Sequence, residues 1–165
     1  MAFQNIFLTV AAFLLISSVL SYPETYMCSY GWSYFPTTGA CYGVNTLPPR
    51  PSWEAAEKYC QQSGGHLASF ESEEEYKHIL SYFFVSWDNM WVGIYSMDGQ
   101  NWKTVEGKDV DPFKYANWCT NGYPWKINGK NCLGFGATEG KNHCFHNHDC
   151  GNSYTMRIIC KKQIF

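Results

Sequence analysis

The sequence predicts a disulfide-stapled α+β domain. Three observations carry that expectation: two segments with helical spacing of apolar residues, several short aromatic and β-branched runs bounded by turn residues, and eight cysteines. An even cysteine count downstream of an apolar leader reads as full pairing in an oxidising compartment. Residues 1–21 carry no charged side chain, and 6–20 is mostly apolar. The stretch is too short for a comfortable membrane span, and Val19 and Ser21 stand where a signal peptidase selects small residues, so cleavage is expected after Ser21. The remainder, residues 22–165, has the size of one ordinary domain. The expected product is secreted and extracellular, with no membrane span after the leader is removed.

Each element has its own signal. Gly31–Phe35 and Ala40–Val44 flank the turn cluster Pro36–Gly39 and read as a hairpin. Pro48, Pro49 and Pro51 break regular structure, and Ser52 then caps a helix running from Trp53 to about Gln62, with Gly64–Gly65 as its stop and Trp53, Ala56 and Cys60 as its inward stripe. His66–Phe70 reads as a short strand. Ser72 and Glu75 form a capping box for a second helix, whose apolar stripe is Tyr76, Ile79, Leu80 and Phe83 and whose solvated side holds Glu74, Lys77, His78 and Ser81. Trp91–Tyr95 reads as a buried strand, returned toward Trp102 by the turn signal Asp98–Gly99. From Lys103 to Gly151 periodicity is lost, which predicts a long irregular region held by cysteines. Met156–Cys160 reads as a closing strand.

Composition excludes some classes of partner. The formal net charge is −2 and no basic run occurs, which argues against nucleic acid or an anionic membrane surface. Aromatic residues make up 18% of the chain, enough to supply an amphipathic binding face besides the core.

An ordered set of motifs resembles a known family. Cys28 with Gly31–Trp32, Cys41–Tyr42, Trp53-Glu54-Ala55-Ala56 with Cys60, Gly64–Ser69, Trp91-Val92-Gly93-Ile94, Cys132, Cys150 and Ile158-Ile159-Cys160 together resemble the long form of the C-type lectin-like domain. The resemblance implies an α+β fold with two helices on small antiparallel sheets and a long disulfide-pinned loop region. It also implies pairing of Cys60 with Cys160, Cys132 with Cys150 and Cys28 with Cys41, which leaves Cys119 and Cys144 for each other.

In that family, sugar binding works through calcium. The ion is held by a Glu-Pro-Asn or Gln-Pro-Asp triplet, a Glu two residues before the third framework cysteine, and an Asn-Asp pair before the fourth. The matching positions here are Tyr123-Pro124-Trp125, Lys130, and His146–Asn147. Calcium takes about 6–8 oxygen ligands, and of these residues only Asn147 offers a side-chain amide oxygen. No cofactor is therefore expected at that site, although Asp149, Asn128 and Asn131 lie close enough in sequence to supply part of a shifted one. The expected function is carbohydrate binding through the long loop without the usual calcium ligands. Trp118, Tyr123 and Trp125 would offer flat faces, and Asn128, Lys130, Asn131, His146 and Asn147 directional polar groups, to a glycan or glycoprotein. The alternative is a calcium-independent protein-recognition domain of the lectin-like receptor or inhibitor type, because exposed Trp and Tyr serve protein partners equally well.

The run His143–Cys150 packs three histidines, two cysteines and an aspartate into eight residues. Soft-metal binding there needs a thiolate that an oxidised cysteine no longer offers, and the zinc-finger spacings are missing. No nucleophile motif, oxyanion loop or carboxylate pair is evident, so no enzyme activity is expected.

Overall fold

The computed structural model describes residues 28–46, 51–81, 89–115, 118–119, 127–138, 141–152 and 157–164. The expected leader and its cleavage site, Phe83, Tyr123, Pro124 and Trp125 lie outside these residues.

Trp32–Phe35 (β1) and Ala40–Thr46 (β2) form the expected antiparallel hairpin. Gly39 closes its turn at φ 64°, a left-handed conformation that glycine adopts without penalty, and donates to Phe35 O at 3.0 Å. Helix α1 spans Trp53–Gln62, and Ser52 Oγ caps it by accepting from the Ala55 N–H at 3.2 Å. Trp53, Ala56 and Cys60 are buried as expected. Glu57 joins them because its carboxylate accepts from the Leu67 N–H at 2.8 Å, His66 Nδ1 at 2.5 Å and Gln61 Nε2 at 2.8 Å. His66 is thus part of the scaffold. The strand expected over His66–Phe70 shortens to His66–Leu67 (β3). Beyond Leu67 the chain leaves its ladder: the Ala68 N–H donates to Ile159 O, and Ala68 O accepts from the Gly93 N–H.

Helix α2 spans Glu73–Leu80, and Ser72 Oγ accepts from the Glu75 N–H at 3.1 Å. The other half of the expected capping box is not made. The Glu75 carboxylate, 2% exposed, accepts instead from the Glu71 N–H at 3.0 Å, from Lys161 Nζ at 2.6 Å and from the Tyr42 hydroxyl. A buried carboxylate is stabilised more by an ammonium and a phenol than by one backbone donor at the helix rim. His78 departs from its expected solvated position as well. Its ring stacks on Phe35 at 4.3 Å and meets Tyr42 at 5.0 Å, because the β1–β2 hairpin covers that side of the helix. Burial pushes the His78 pKa down, partly opposed by the Glu75 charge.

Met90–Ser96 (β4) is the strand on which two cores meet. Alternation sends Met90, Val92 and Ile94 into a cluster with Phe70, Tyr76, Phe135 and Phe145, and Trp91 into a second with Trp53, Cys60, Leu67 and Ile158. Gly93 faces the second cluster, and a Cβ there would stand 2.2 Å from Leu67 O. Gly93→Ala must displace backbone, and a loss of about 2–3 kcal/mol in urea denaturation is expected, against an unchanged midpoint if β3 can move freely.

The Asp98–Gly99 turn leads to Trp102–Thr104 (β5) and Asp109–Val110 (β6), followed by a short 3₁₀ turn at Pro112–Lys114. Asp98 accepts from the N–H groups of Gln100 and Asn101, both at 2.8 Å, and these bonds hold its carboxyl well below the usual range. The region from Lys103 to Gly151, expected to be irregular, contains a long hairpin made of Asn131–Thr138 (β7) and Lys141–Asp149 (β8). Its strands escape detection because residues 131–136 and 144–148 are buried throughout and include Gly, Cys, Asn and His, which erases the apolar–polar alternation that marks a half-buried strand. The closing strand is Arg157–Gln163 (β9).

Among the described residues the strands form one mixed sheet in the order β1–β2–β9–β4–β5–β6, with β3 on β9 and the β7–β8 hairpin on β4. Antiparallel pairing dominates, and β9 runs parallel only to β4, through Met90–Arg157 and Trp91–Ile158. Four disulfides tie the fold: Cys28–Cys41, Cys60–Cys160, Cys119–Cys144 and Cys132–Cys150. Cys60–Cys160 spans 100 residues, and in the chain-entropy account that loop gives it the largest effect on the unfolded state.

Candidate ligand-binding face

The start of α1, the end of β4 and the start of β7 converge at the foot of the long loop. The Trp53 N–H donates to Cys150 O at 2.9 Å, and the Trp53 indole N–H donates to Val92 O at 2.8 Å, so the ring is held by two separate parts of the fold. Tyr95 meets it edge-on at 5.9 Å. Lys130, next to β7, places Nζ 4.2 Å from the Trp53 ring centroid and 4.8 Å from that of Tyr95. Glu54 Oε1 lies 3.8 Å from the same ammonium. A partly desolvated cation over two aromatic faces gains about 0.5–2 kcal/mol, whereas the exposed Glu54 contributes little. Asn128, two residues before Lys130 in the chain, is exposed.

Other residues expected to face a ligand lie inside. Asn131 and Asn147 are fully buried, and Asn147 Nδ2 donates to Asn131 Oδ1 at 2.8 Å. Asn131 Nδ2 in turn donates to Gly129 O at 2.9 Å. The pair closes the β7–β8 hairpin at its open end, which corrects the expectation that these amides present themselves to solvent. His146 is also buried, with its ring over Gly134: a Cβ on that glycine would stand 2.5 Å from the imidazole. His146 and His148 lie on the same side of β8, with ring centroids 4.8 Å apart, and His148 lies edge-on to Trp91. Burial, reinforced by the His148 charge, pushes the His146 pKa down to about 3. Trp118 is partly buried and packs on Trp102 at 6.0 Å and Phe113 at 4.7 Å, against the same cluster that holds Met90, Val92 and Ile94.

Three of the family's calcium-ligand positions fall among the described residues. Lys130 brings an ammonium, His146 is a buried nitrogen ligand, and the Asn147 amide is bonded to Asn131. The only acidic and sulfur cluster of suitable dimensions among the described residues, Glu54 with Cys132 and Cys150, has its sulfurs in a disulfide. Among the described residues no helix is long and apolar enough to cross a membrane.

Reading Lys130 from the sequence located one member of the face but not its neighbours. Trp53 appeared only as part of a helical stripe and Tyr95 only as part of a strand. One signal for Tyr95 was available: its parity with Trp91 places it on the same side of β4.

A disulfide-tied α+β domain with a long loop carried beside a central strand defines a class of binding domains. The family model described as the lectin C-type domain matches residues 50–162, and the chain belongs to that family. Rheacalcin-2 of Rhea americana is 32% identical over 111 residues, which cover 59% of this chain and 73% of that protein. Among solved structures, the carbohydrate-recognition domain of the mouse scavenger receptor C-type lectin aligns with a TM-score of 0.63 and 25% identity, covering 82% of this chain and 96% of that one. A calcium-independent type II antifreeze protein aligns with a TM-score of 0.59 and 26% identity, covering 83% and 95%. The chain is therefore a C-type lectin-like domain whose relatives include both a carbohydrate-recognition domain and a calcium-independent protein.

Proposed function

We propose that this chain is a secreted lectin that binds glycans without calcium at the primary site, using the face built around Lys130. The observation that carries the reading is the seat of the Lys130 ammonium, 4.2 Å from the Trp53 ring centroid and 4.8 Å from that of Tyr95, where calcium-dependent relatives place a carboxylate. An ammonium already held in place can donate to sugar hydroxyls with little further loss of side-chain freedom. The exposed Asn128 and Glu54 add amide and carboxylate groups around it. Trp125 and Tyr123 remain the proposed aromatic contacts from the loop itself. Secretion is supported by four disulfides, which persist in oxidising compartments.

A glycan-array screen with and without a calcium chelator tests the reading. Glycan signal is expected to survive the chelator and to fall at least about tenfold in Lys130→Ala and Trp125→Ala, equivalent to about 1.4 kcal/mol. Signal abolished by the chelator overturns calcium independence. A silent array combined with specific capture of a protein overturns the glycan reading in favour of protein recognition.

A further inference from the structure

A second recess lies on the face of the β1–β2–β9 sheet, between the first hairpin and the end of α1. It is a cleft of ≈ 420 Å³ lined by Trp32, Asn45, Tyr59, Lys162 and Gln163 among others. The register explains why these residues meet. On β2, Cys41, Gly43 and Asn45 alternate onto one face, and antiparallel pairing sets Cys41 opposite Lys162 and Gly43 opposite Cys160. Trp32 stands opposite Gly43 and lays its indole across it, so closely that a Cβ there would come within 2.5 Å of the ring. Glycine at this position is what lets the ring lie flat. The Cys60–Cys160 disulfide ties the last turn of α1 to β9, which brings Tyr59 and Ser63 to the cleft wall. Cys28–Cys41 closes the hairpin side.

Two of its polar side chains are committed, Gln163 Nε2 donating to Thr38 O at 2.8 Å and Ser63 Oγ to Tyr59 O at 3.4 Å, and four others are not. Among the described residues, the Lys162 ammonium, the Asn45 amide, the Trp32 indole N–H and the Tyr59 hydroxyl have no hydrogen-bond or ion-pair partner. Among the described residues the lining includes one ammonium and no carboxylate. Neighbouring Lys161, one residue away, points to the opposite face and is neutralised by Glu75 at 2.6 Å. A flat indole bordered by a phenol, two amides and an unneutralised cation matches a sugar ring: C–H groups lie on the aromatic face, hydroxyls meet the amides, and a negative substituent meets the ammonium.

We propose that this cleft is a second ligand site, separate from the Lys130 face, and that it takes an acidic saccharide, one carrying a carboxylate or sulfate group. The proposal is independent of the reading of the Lys130 face. It is tested by titrating the ¹⁵N-labelled mature chain with 3′-sialyllactose, lactose 3′-sulfate and lactose. The signal followed is the Trp32 indole N–H, assigned from its disappearance in Trp32→Phe. The expected result is a saturable shift of that resonance with at least one acidic sugar, and at least about tenfold weaker binding of lactose. The two acidic sugars distinguish carboxylate from sulfate as the preferred group. Lys162→Gln, an exposed substitution that leaves the fold intact, is expected to reduce the acidic sugar's affinity to that of lactose. Lys114→Gln, which removes the same charge outside the lining, is expected to leave it unchanged. An unmoved Trp32 resonance up to about 10 mM of every sugar, or equal affinity in the wild type and Lys162→Gln, overturns the assignment.

Discussion

Glu75→Ala is expected to lower the stability of the domain by about 3–5 kcal/mol, the largest effect of any single polar substitution considered for this chain. Glu75 is 2% exposed, and its carboxylate receives three donors from three parts of the fold: Lys161 Nζ on β9 at 2.6 Å, the Tyr42 hydroxyl on β2, and the Glu71 N–H before α2 at 3.0 Å. Removing it strands the Lys161 ammonium, whose side chain is only 12% exposed, beside an apolar cluster. The penalty comes mainly from that uncompensated charge, so its size does not measure the worth of the pair. Two further variants separate these terms. Glu75→Gln keeps an acceptor but loses the charge and should fall between wild type and alanine. The double replacement Glu75→Met with Lys161→Met removes both charges and should recover most of the loss. Urea denaturation of the three variants decides the matter: a loss under about 1 kcal/mol in Glu75→Ala would show that Lys161 escapes to water and that the network contributes little.

Acidification from pH 7.5 to 5 is expected to cost the fold about 2 kcal/mol through His146 alone. In the unfolded chain this histidine protonates near its ordinary pKa of about 6.5. In the fold, burial and the neighbouring His148 hold its pKa at about 3. Between these values the unfolded state binds more protons than the native state, so stability is full above pH 6.5 and declines on acidification. The decline is about 1.4 kcal/mol per pH unit and continues until the folded pKa is reached. His148 and His78, whose pKa values are also lowered by burial, act in the same direction. The window between pH 6.5 and 5 lies above the ordinary carboxylate range, and the Asp98 carboxyl is held lower still, which separates the effect from loss of the Asp98 interactions at lower pH. His146→Leu should flatten the pH dependence of the denaturation midpoint by close to one proton. A wild-type midpoint that does not move between pH 7.5 and 5 would refute the buried-histidine account.

Both expectations concern residues whose roles the sequence misassigned or only half described. Glu75 was legible as a helix-capping residue, since Ser-x-x-Glu before an apolar stripe is a local signal, and Ser72 does cap the helix. Its partner Lys161 is 86 residues away, and no local pattern encodes that meeting. His146 and Asn147 were legible as a polar run near a cysteine, which favours a surface reading. The β7–β8 hairpin buries them, and Asn147 finds Asn131 across 16 residues.

Local chemistry in the sequence was enough to determine both helices and their caps, the first hairpin, the central strand and the disulfide-rich character of the chain. Each of these depends on side-chain periodicity, a turn residue or a motif lying within a short span. The α+β class followed from them, and the ordered motifs pointed to the lectin C-type family. Only the tertiary structure decided that the apparent loop carries two long strands, because a strand buried on both faces and built from Gly, Cys, Asn and His shows no alternation to read. It alone placed Lys130 over Trp53 and Tyr95, and Trp32 on Gly43 beside Lys162. Those neighbourhoods are products of strand register and of disulfides that join distant segments, and a one-residue change of register would separate every one of them.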